Sequence, residues 1–212
     1  MNIYPTSVLA IAPHPDDIEL GMGATINRFT QRGIPVRVVV LSSAEQSLPE
    51  GVTSEDIQKE CIDALDVLGV PSSSISFFDF PVRRFDEHRQ DILEILVSHD
   101  RTFECDLVFC PSLSDTHQDH EVIARECVRA FRKRTVLGYE LPWNNRGFVP
   151  VLSFVVSEHD VDRKELALSK YRSQSNRTYF EPGLLKNLAR LRASVTGYDF
   201  AESFEVIRMV VK

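Results

Sequence analysis

Apolar and polar positions fall in blocks along the chain. The first apolar block, at 6–12, runs unbroken from Val8 to Ala12, which predicts a strand buried on both faces rather than one with a wet side. From about 19 to 32 the period becomes helical. Leu20, Ile26 and Phe29 can share a face, and Gly33 is a natural stop. Pro35 then opens a β-branched run at 36–41, a second strand. Strand, helix and strand in this order predict a right-handed parallel crossover. Beyond a polar loop at 42–51, a helix is expected at 54–69, with Ser54 as N-cap and Ile57, Cys61, Leu65 and Leu68 on its buried side. The remaining blocks predict strands at 74–80, 106–110, 135–140 and 148–157, and helices at 86–99, 117–131, 160–173 and 181–193. The apolar tail at 204–211 reads as a last strand or a docked segment. This alternation predicts an α/β fold, a three-layer α/β/α sandwich around a mostly parallel Rossmann-like sheet. A small C-terminal strand and helix addition completes it, its later strands antiparallel or in a second small sheet. At 212 residues the chain fits one domain spanning 1–212.

Composition narrows the partners. A formal net charge of -7 without a long Lys/Arg run argues against nucleic acid or an anionic membrane surface. No apolar stretch approaches the roughly 20 residues of a membrane span, and the N-terminus lacks the pattern of a signal peptide. The four cysteines form no CxxC pair and sit mostly in apolar or helical blocks, as buried free thiols do in a reducing compartment. A cytoplasmic location is expected.

Two polar clusters interrupt this scaffold, each just after a predicted strand. The first is His14-Pro15-Asp16-Asp17. Pro15 stiffens the turn and holds His14 extended. Imidazole and carboxylate together suit a borderline divalent metal such as zinc. One of the two carboxylates can reach the metal while the other faces the attacking water as a general base. Capping of the next helix by Asp16 or Asp17 is compatible with that chemistry. The second cluster runs from Asp115 to His120. His117 and His120, three apart at a helix start, share a face. Asp115 or Thr116 can cap the helix, and Asp119 can orient a histidine. Three protein ligands with one open position make a catalytic zinc site, and His14, Asp17 and His120 supply that number. Gly21 and Gly23 raise a dinucleotide-binding turn as a rival, but the fingerprint's third glycine position is Ile26 and the glycines follow acidic residues that would repel a pyrophosphate. Close helix-to-sheet packing explains them better.

The stretch Pro13-His14-Pro15-Asp16-Asp17-Ile18-Glu19-Leu20-Gly21, with His117-Gln118-Asp119-His120 downstream, resembles the PIG-L/LmbE family of zinc-dependent N-deacetylases. Further likenesses at Asp79-Phe80-Pro81, Tyr139-Glu140, Tyr171-Arg172-Ser173-Gln174 and Ala201-Glu202-Ser203-Phe204 extend it over most of the chain. The resemblance implies one Zn2+ per chain on His14, Asp17 and His120, with Asp16 as general base. It implies His117 as the group that stabilises the tetrahedral intermediate or protonates the leaving amine. It also implies a small amino-sugar conjugate as substrate, acetate as product, and the self-association common among relatives. The sequence departs from many relatives at Pro13, Ile18, Ala24 and the 43–45 exit, none of which is a ligand position. Arg84, Glu45, Trp143 and Gln174 are the expected substrate contacts, Trp143 as a stacking platform for a sugar ring. A metal-dependent amidase acting on a non-sugar or thiol-conjugate amide is the rival enzyme. A ligand-binding protein that kept the metal and lost turnover is the rival of another class.

Overall fold

The computed structural model describes residues 4–211. Its centre is one seven-stranded sheet in the order β3-β2-β1-β4-β5-β7-β6. The strands are β1 (Val8–Ala12), β2 (Val36–Val40), β3 (Ile75–Phe77), β4 (Leu107–Pro111), β5 (Thr135–Tyr139), β6 (Leu152–Val155) and β7 (Ala201–Arg208). The first five named in the sheet order are parallel; β7 runs antiparallel to β5 and to β6. The later strands are thus antiparallel, and they extend the main sheet rather than forming a second one.

Six helices cover the sheet: α1 (Asp17–Gln31), α2 (Ser54–Val67), α3 (Arg89–Thr102), α4 (Gln118–Ala130), α5 (Glu158–Leu168) and α6 (Leu184–Ala193). Successive side chains of a strand point to opposite faces, and the core divides accordingly. Val8, Ala10 and Ala12 pack with α1, α2 and α5, whereas Leu9 and Ile11 pack with α3 and α4. β1, buried along its whole length, is the middle of the sandwich.

The departures from pattern have local causes. Thr53, not Ser54, caps α2, because Asp56 stands at the third helical position and closes a capping box with it. The expected 86–99 helix begins as a 3-10 turn at Phe85–His88 and becomes α-helical at Arg89. β3 is regular only over three residues, but the amides of Phe78 and Phe80 continue to donate to Val40 and Leu41 alongside β2. The strand expected at 148–157 shrinks to the sheet edge at β6, where Pro150 offers no donor and Val149 and Val151 face solvent. The last strand starts three residues early, because Glu202 and Ser203 are buried despite their polarity.

Gly21 and Gly23 do allow close packing. A Cβ at Gly21 would lie 2.5 Å from the Tyr139 ring, and one at Gly23 would lie 2.9 Å from Lys164. Between them Met22 breaks the helical geometry of α1 (φ -150, ψ 21). The amides of Ala24 and Thr25 after this break donate to the buried Glu202 carboxylate, which also holds Lys164 at 2.6 Å. A side-chain carboxylate therefore caps the helix where it restarts. No nucleotide-binding turn is formed here.

Candidate active site

Sheet order decides where chemistry collects. β1 lies between β2 on one side and β4 on the other, so successive crossovers leave β1 in opposite directions. In open α/β sheets the crevice at such a switch point, beyond the carboxyl ends of the strands, is the usual ligand site. The exits of β1 and β4 carry the two polar clusters, and the structure brings them into contact.

Nδ1 of His14, Nε2 of His120 and Oδ2 of Asp17 converge. The two nitrogens are 3.3 Å apart, and each lies 3.4 Å from the carboxylate oxygen. Tetrahedral ligands at zinc distances are separated by about 3.3–3.4 Å, so these three atoms form a face of the right size. The opposite nitrogen of each ring is held by a carboxylate: Nε2 of His14 by Asp119 at 3.0 Å and Nδ1 of His120 by Asp115 at 2.8 Å. Carboxylate-backed histidines are the usual support of a metal site. His14, His117 and His120 also form a cluster whose nitrogens lie within 4.8 Å of one another, and it could hold a metal.

The supporting carboxylates are themselves fixed. Asp119 accepts from the amide of Arg83 at 2.7 Å, and Asp115 accepts from the amide of His117 at 2.9 Å. Asp115 is therefore the partner of His120 rather than a helix cap. His117 is the cap of α4, its Nδ1 accepting the Asp119 amide at 3.2 Å. That bond leaves the proton of a neutral His117 on Nε2. Asp16 precedes α1 in a left-handed conformation (φ 88) and makes no side-chain cap bond. Among the described residues the three non-glycine positions with positive φ are Asp16, Ala44 and Arg83, which follow β1, β2 and β3. Strain of this kind concentrates at functional edges.

Charge follows from burial and neighbours. Burial alone would lower the pKa of His14, but hydrogen bonds and charge from Asp119 and Asp17 outweigh it and push the imidazole up to about 9. Burial likewise opposes ionisation of Asp17, yet His120 and His14 hold it below the ordinary carboxylate range. For Asp16, burial and the charges of Asp17 and Glu19 act together and raise the carboxyl well above that range, against the pull of Arg177 and His14. Burial, reinforced by His120 and His14, lowers His117 to about 4. A metal taking His14 Nδ1 must therefore displace a proton. Apparent metal affinity is expected to rise about tenfold per pH unit up to about pH 9 and then level off. Titration against a chromophoric chelator from pH 6.5 to 9.5 checks this; a flat profile would mean that His14 is not displaced.

These groups line a cavity of about 190 Å3 together with Ser47, Leu48, Trp143, Asn144, Gln174, Arg177 and Tyr179. Trp143 reaches it because its loop is pinned to the second cluster, with Thr116 donating twice to the Asn144 carbonyl. Of the expected substrate contacts, Trp143 and Gln174 line the cavity. Arg84 does not: its exposed guanidinium is paired with Glu87, three residues on. Glu45 is exposed in a 3-10 turn, Glu45–Ser47, and it is Ala44 and Ser47 on either side of it that line the cavity. Arg177 and Tyr179 had no signal in the sequence; they sit in an irregular polar segment after Gln174 that only the fold carries to the site. All four cysteines are buried and free, and among the described residues no helix is long and apolar enough to cross a membrane.

Residues 9–131 match the PIG-L family model, described as GlcNAc-PI de-N-acetylase. The uncharacterized deacetylase YaiS of Escherichia coli K12 is 31% identical over 170 residues, covering 78% of this chain and 90% of its own. Among solved structures, N,N'-diacetylchitobiose deacetylase of Pyrococcus horikoshii superposes with a TM-score of 0.78 at 21% identity, over 96% of this chain and 84% of its own. GalB, the 4-carboxy-2-hydroxymuconate hydratase of Pseudomonas putida KT2440, superposes with a TM-score of 0.76 at 20% identity, over 98% of each chain. The same scaffold thus supports different chemistries, and activity has to be argued from the residues at the switch point.

Proposed function

This chain belongs to the PIG-L family, and from that premise we propose that it is a metal-dependent N-deacetylase that hydrolyses the acetamide of an N-acetylglucosamine-type conjugate. The observation that carries the proposal is the triangle of His14 Nδ1, His120 Nε2 and Asp17 Oδ2, with edges of 3.3–3.4 Å, beside a carboxylate left without a hydrogen-bond partner among the described residues, that of Asp16. His14, Asp17 and His120 would hold the metal, zinc being the species their donor set suits. When bound, the metal would polarise the amide carbonyl and make water ionisable near neutral pH.

The chain's own residues account for the rest. Asp16, raised in pKa and free to accept, takes a proton from water as its oxygen attacks the acetyl carbon. His117, neutral at physiological pH, donates a hydrogen bond from Nε2–H to the developing oxyanion, and Asp16 passes the proton it took from water to the departing nitrogen. The C–N bond breaks, the proton ends on nitrogen, and acetate and a free amine leave. A cavity of about 190 Å3 is smaller than the sites of drug-sized ligands. It suits one sugar ring with its acetamide, leaving the remainder of a conjugate along the rim at Trp143 and Tyr179.

The test is acetate release from a panel of N-acetylglucosamine conjugates. Turnover is expected with about one metal per chain, abolished by a chelator and restored by adding a divalent metal. Metal-loaded protein that releases no acetate from any sugar, but hydrolyses non-sugar amides, would transfer the activity to the rival amidase reading. A chain that takes up no metal at pH 8 would end the proposal.

A further inference from the structure

Glu205 lies on β7 and does not line the cavity, yet its carboxylate organises the loop that follows β4. In the sheet it pairs with Gly138 of β5, and Gly138 pairs with Cys110 of β4. To reach the exit of β4 the side chain has to pass over β5, and the glycine leaves room for it. A Cβ at Gly138 would lie 3.1 Å from Glu205 Oε2 and 2.8 Å from the Ser112 Cα. Beyond the glycine, Oε2 accepts from the Ser112 hydroxyl at 2.7 Å and from the Leu113 amide at 2.9 Å. The loop passes this restraint on. Ser112 Oγ accepts from the Ser114 amide at 3.1 Å and meets Ser114 Oγ at 2.9 Å. Ser114 Oγ accepts from Asn145 Nδ2 at 3.1 Å, and Asn145 Oδ1 accepts from the Leu141 amide at 2.8 Å. The turn closed between Leu141 and Asn145 carries Trp143, which lines the cavity and stacks on Tyr179 with ring centroids 4.4 Å apart and planes 12° from parallel. A chain of hydrogen bonds thus runs from β7 to the aromatic wall of the site. A wall fixed before the ligand arrives removes an ordering cost from binding.

We infer that Glu205 is a positioning residue for the reaction: through Ser112, Ser114 and Asn145 it holds Trp143 in the place where the wall meets a ligand. The inference rests on the deacetylase reading for the identity of the sugar, and its first test needs no sugar at all. Trp143 is the only tryptophan in the chain, so its fluorescence reports on this wall directly. Quenching by acrylamide in the ligand-free protein reads whether the wall is fixed. Methyl glucosaminide, which has no acetyl group to lose, reads what the fixed wall does for binding.

Glu205→Ala is expected to make Trp143 more quenchable and to weaken methyl glucosaminide roughly 3- to 10-fold, the range of one hydrogen bond. KM for an N-acetylated sugar should rise by the same factor, with kcat within about threefold and metal content unchanged, because the metal-facing atoms keep their own partners at Asp119 and Asp115. A role in stability alone would lower the active fraction and leave KM and the quenching of the folded protein where they were. Glu205→Gln keeps an acceptor oxygen and should behave like the unaltered protein. Ser114→Ala cuts the same chain at one half-buried hydroxyl, so it carries the test if Glu205→Ala does not fold. The two effects should not add: the double variant is expected to match the larger single one. Unchanged quenching in both single variants, additive effects, a Glu205→Gln as impaired as the alanine, or loss of metal with Trp143 unmoved would each overturn the inference. Acetate release with quenching unchanged in both variants would remove this inference and keep the deacetylase reading. Quenching that depends on Glu205 and Ser114, with no acetate release from any sugar, would do the reverse.

Discussion

Asp16→Asn is expected to lower kcat/KM by about 100- to 10,000-fold, the usual contribution of a positioned general base, while metal content stays near that of the unaltered protein. The substitution is close to isosteric and removes basicity alone. Asp16 sits at φ 88, a region that asparagine and aspartate tolerate better than other residues with a β-carbon, so the backbone has no reason to move. Its carboxylate accepts no hydrogen bond from the described residues, so no protein contact is lost. Asp17, the neighbour that faces His14 and His120, is untouched. The pH profile supplies a second reading of the same residue. Burial and the charges of Asp17 and Glu19 raise the Asp16 carboxyl, so activity in the unaltered protein should rise with pH through a limb above the ordinary carboxylate range. That limb should disappear from the residual activity of Asp16→Asn. Acetate release and bound metal measured side by side across pH decide it. A variant that keeps more than a tenth of the activity, or loses its metal, would remove Asp16 from the role of base.

Much of this site was legible in the sequence because it is built from short, local signals. A both-sides-buried strand that ends in His-Pro-Asp-Asp, and another that ends in Asp-Thr-His-Gln-Asp-His, place their polar groups at strand exits whatever the details of packing. The five-strand parallel core then makes those exits neighbours at the switch point. What stayed hidden depended on pairing across distance. The sequence offers Asp115 as a cap for α4; only the fold reveals that it turns back on His120, five residues on, while a histidine takes the cap. Arg84 and Arg177 illustrate the same limit from opposite sides. Arg84 follows a strand on the ligand edge and looks suitable, but Glu87 one turn later captures it. Arg177 lies in a segment with no periodicity and is carried to the cavity by the irregular segment between α5 and α6. Buried polar groups also misled the pattern at the end of the chain, where Glu202 lies outside the strand expected at 204–211 but is buried and holds Lys164 and the restart of α1.

The same substitution at two other positions separates the two ligand sets that the geometry offers. Asp17→Asn is expected to weaken metal binding by more than the roughly 10- to 100-fold that loss of a supporting partner costs, because it replaces an anionic ligand with a neutral one. His117→Asn is expected to leave metal affinity within about tenfold and to lower kcat by about 100- to 1000-fold, the cost of removing one oxyanion donor. Asparagine is the informative choice at 117. It is among the best N-caps, so the acceptor that His117 Nδ1 gives the Asp119 amide can be kept, and with it the start of α4 that carries His120. What is lost is the reach of the imidazole Nε2. The argument for Asp17 over His117 as third ligand is one of distance and charge. Asp17 Oδ2 lies 3.4 Å from both metal-facing nitrogens, whereas the three histidines satisfy only a 4.8 Å limit. A neutral three-histidine set would also leave Asp17 beside the metal with no role, although its carboxyl is held ionised by the same two rings. Metal content after dialysis against a graded chelator reads the difference directly. Loss in His117→Asn alone would assign the metal to His14, His117 and His120, and equal losses in both variants would add His117 to the ligand set; either would leave the oxyanion without the donor proposed for it.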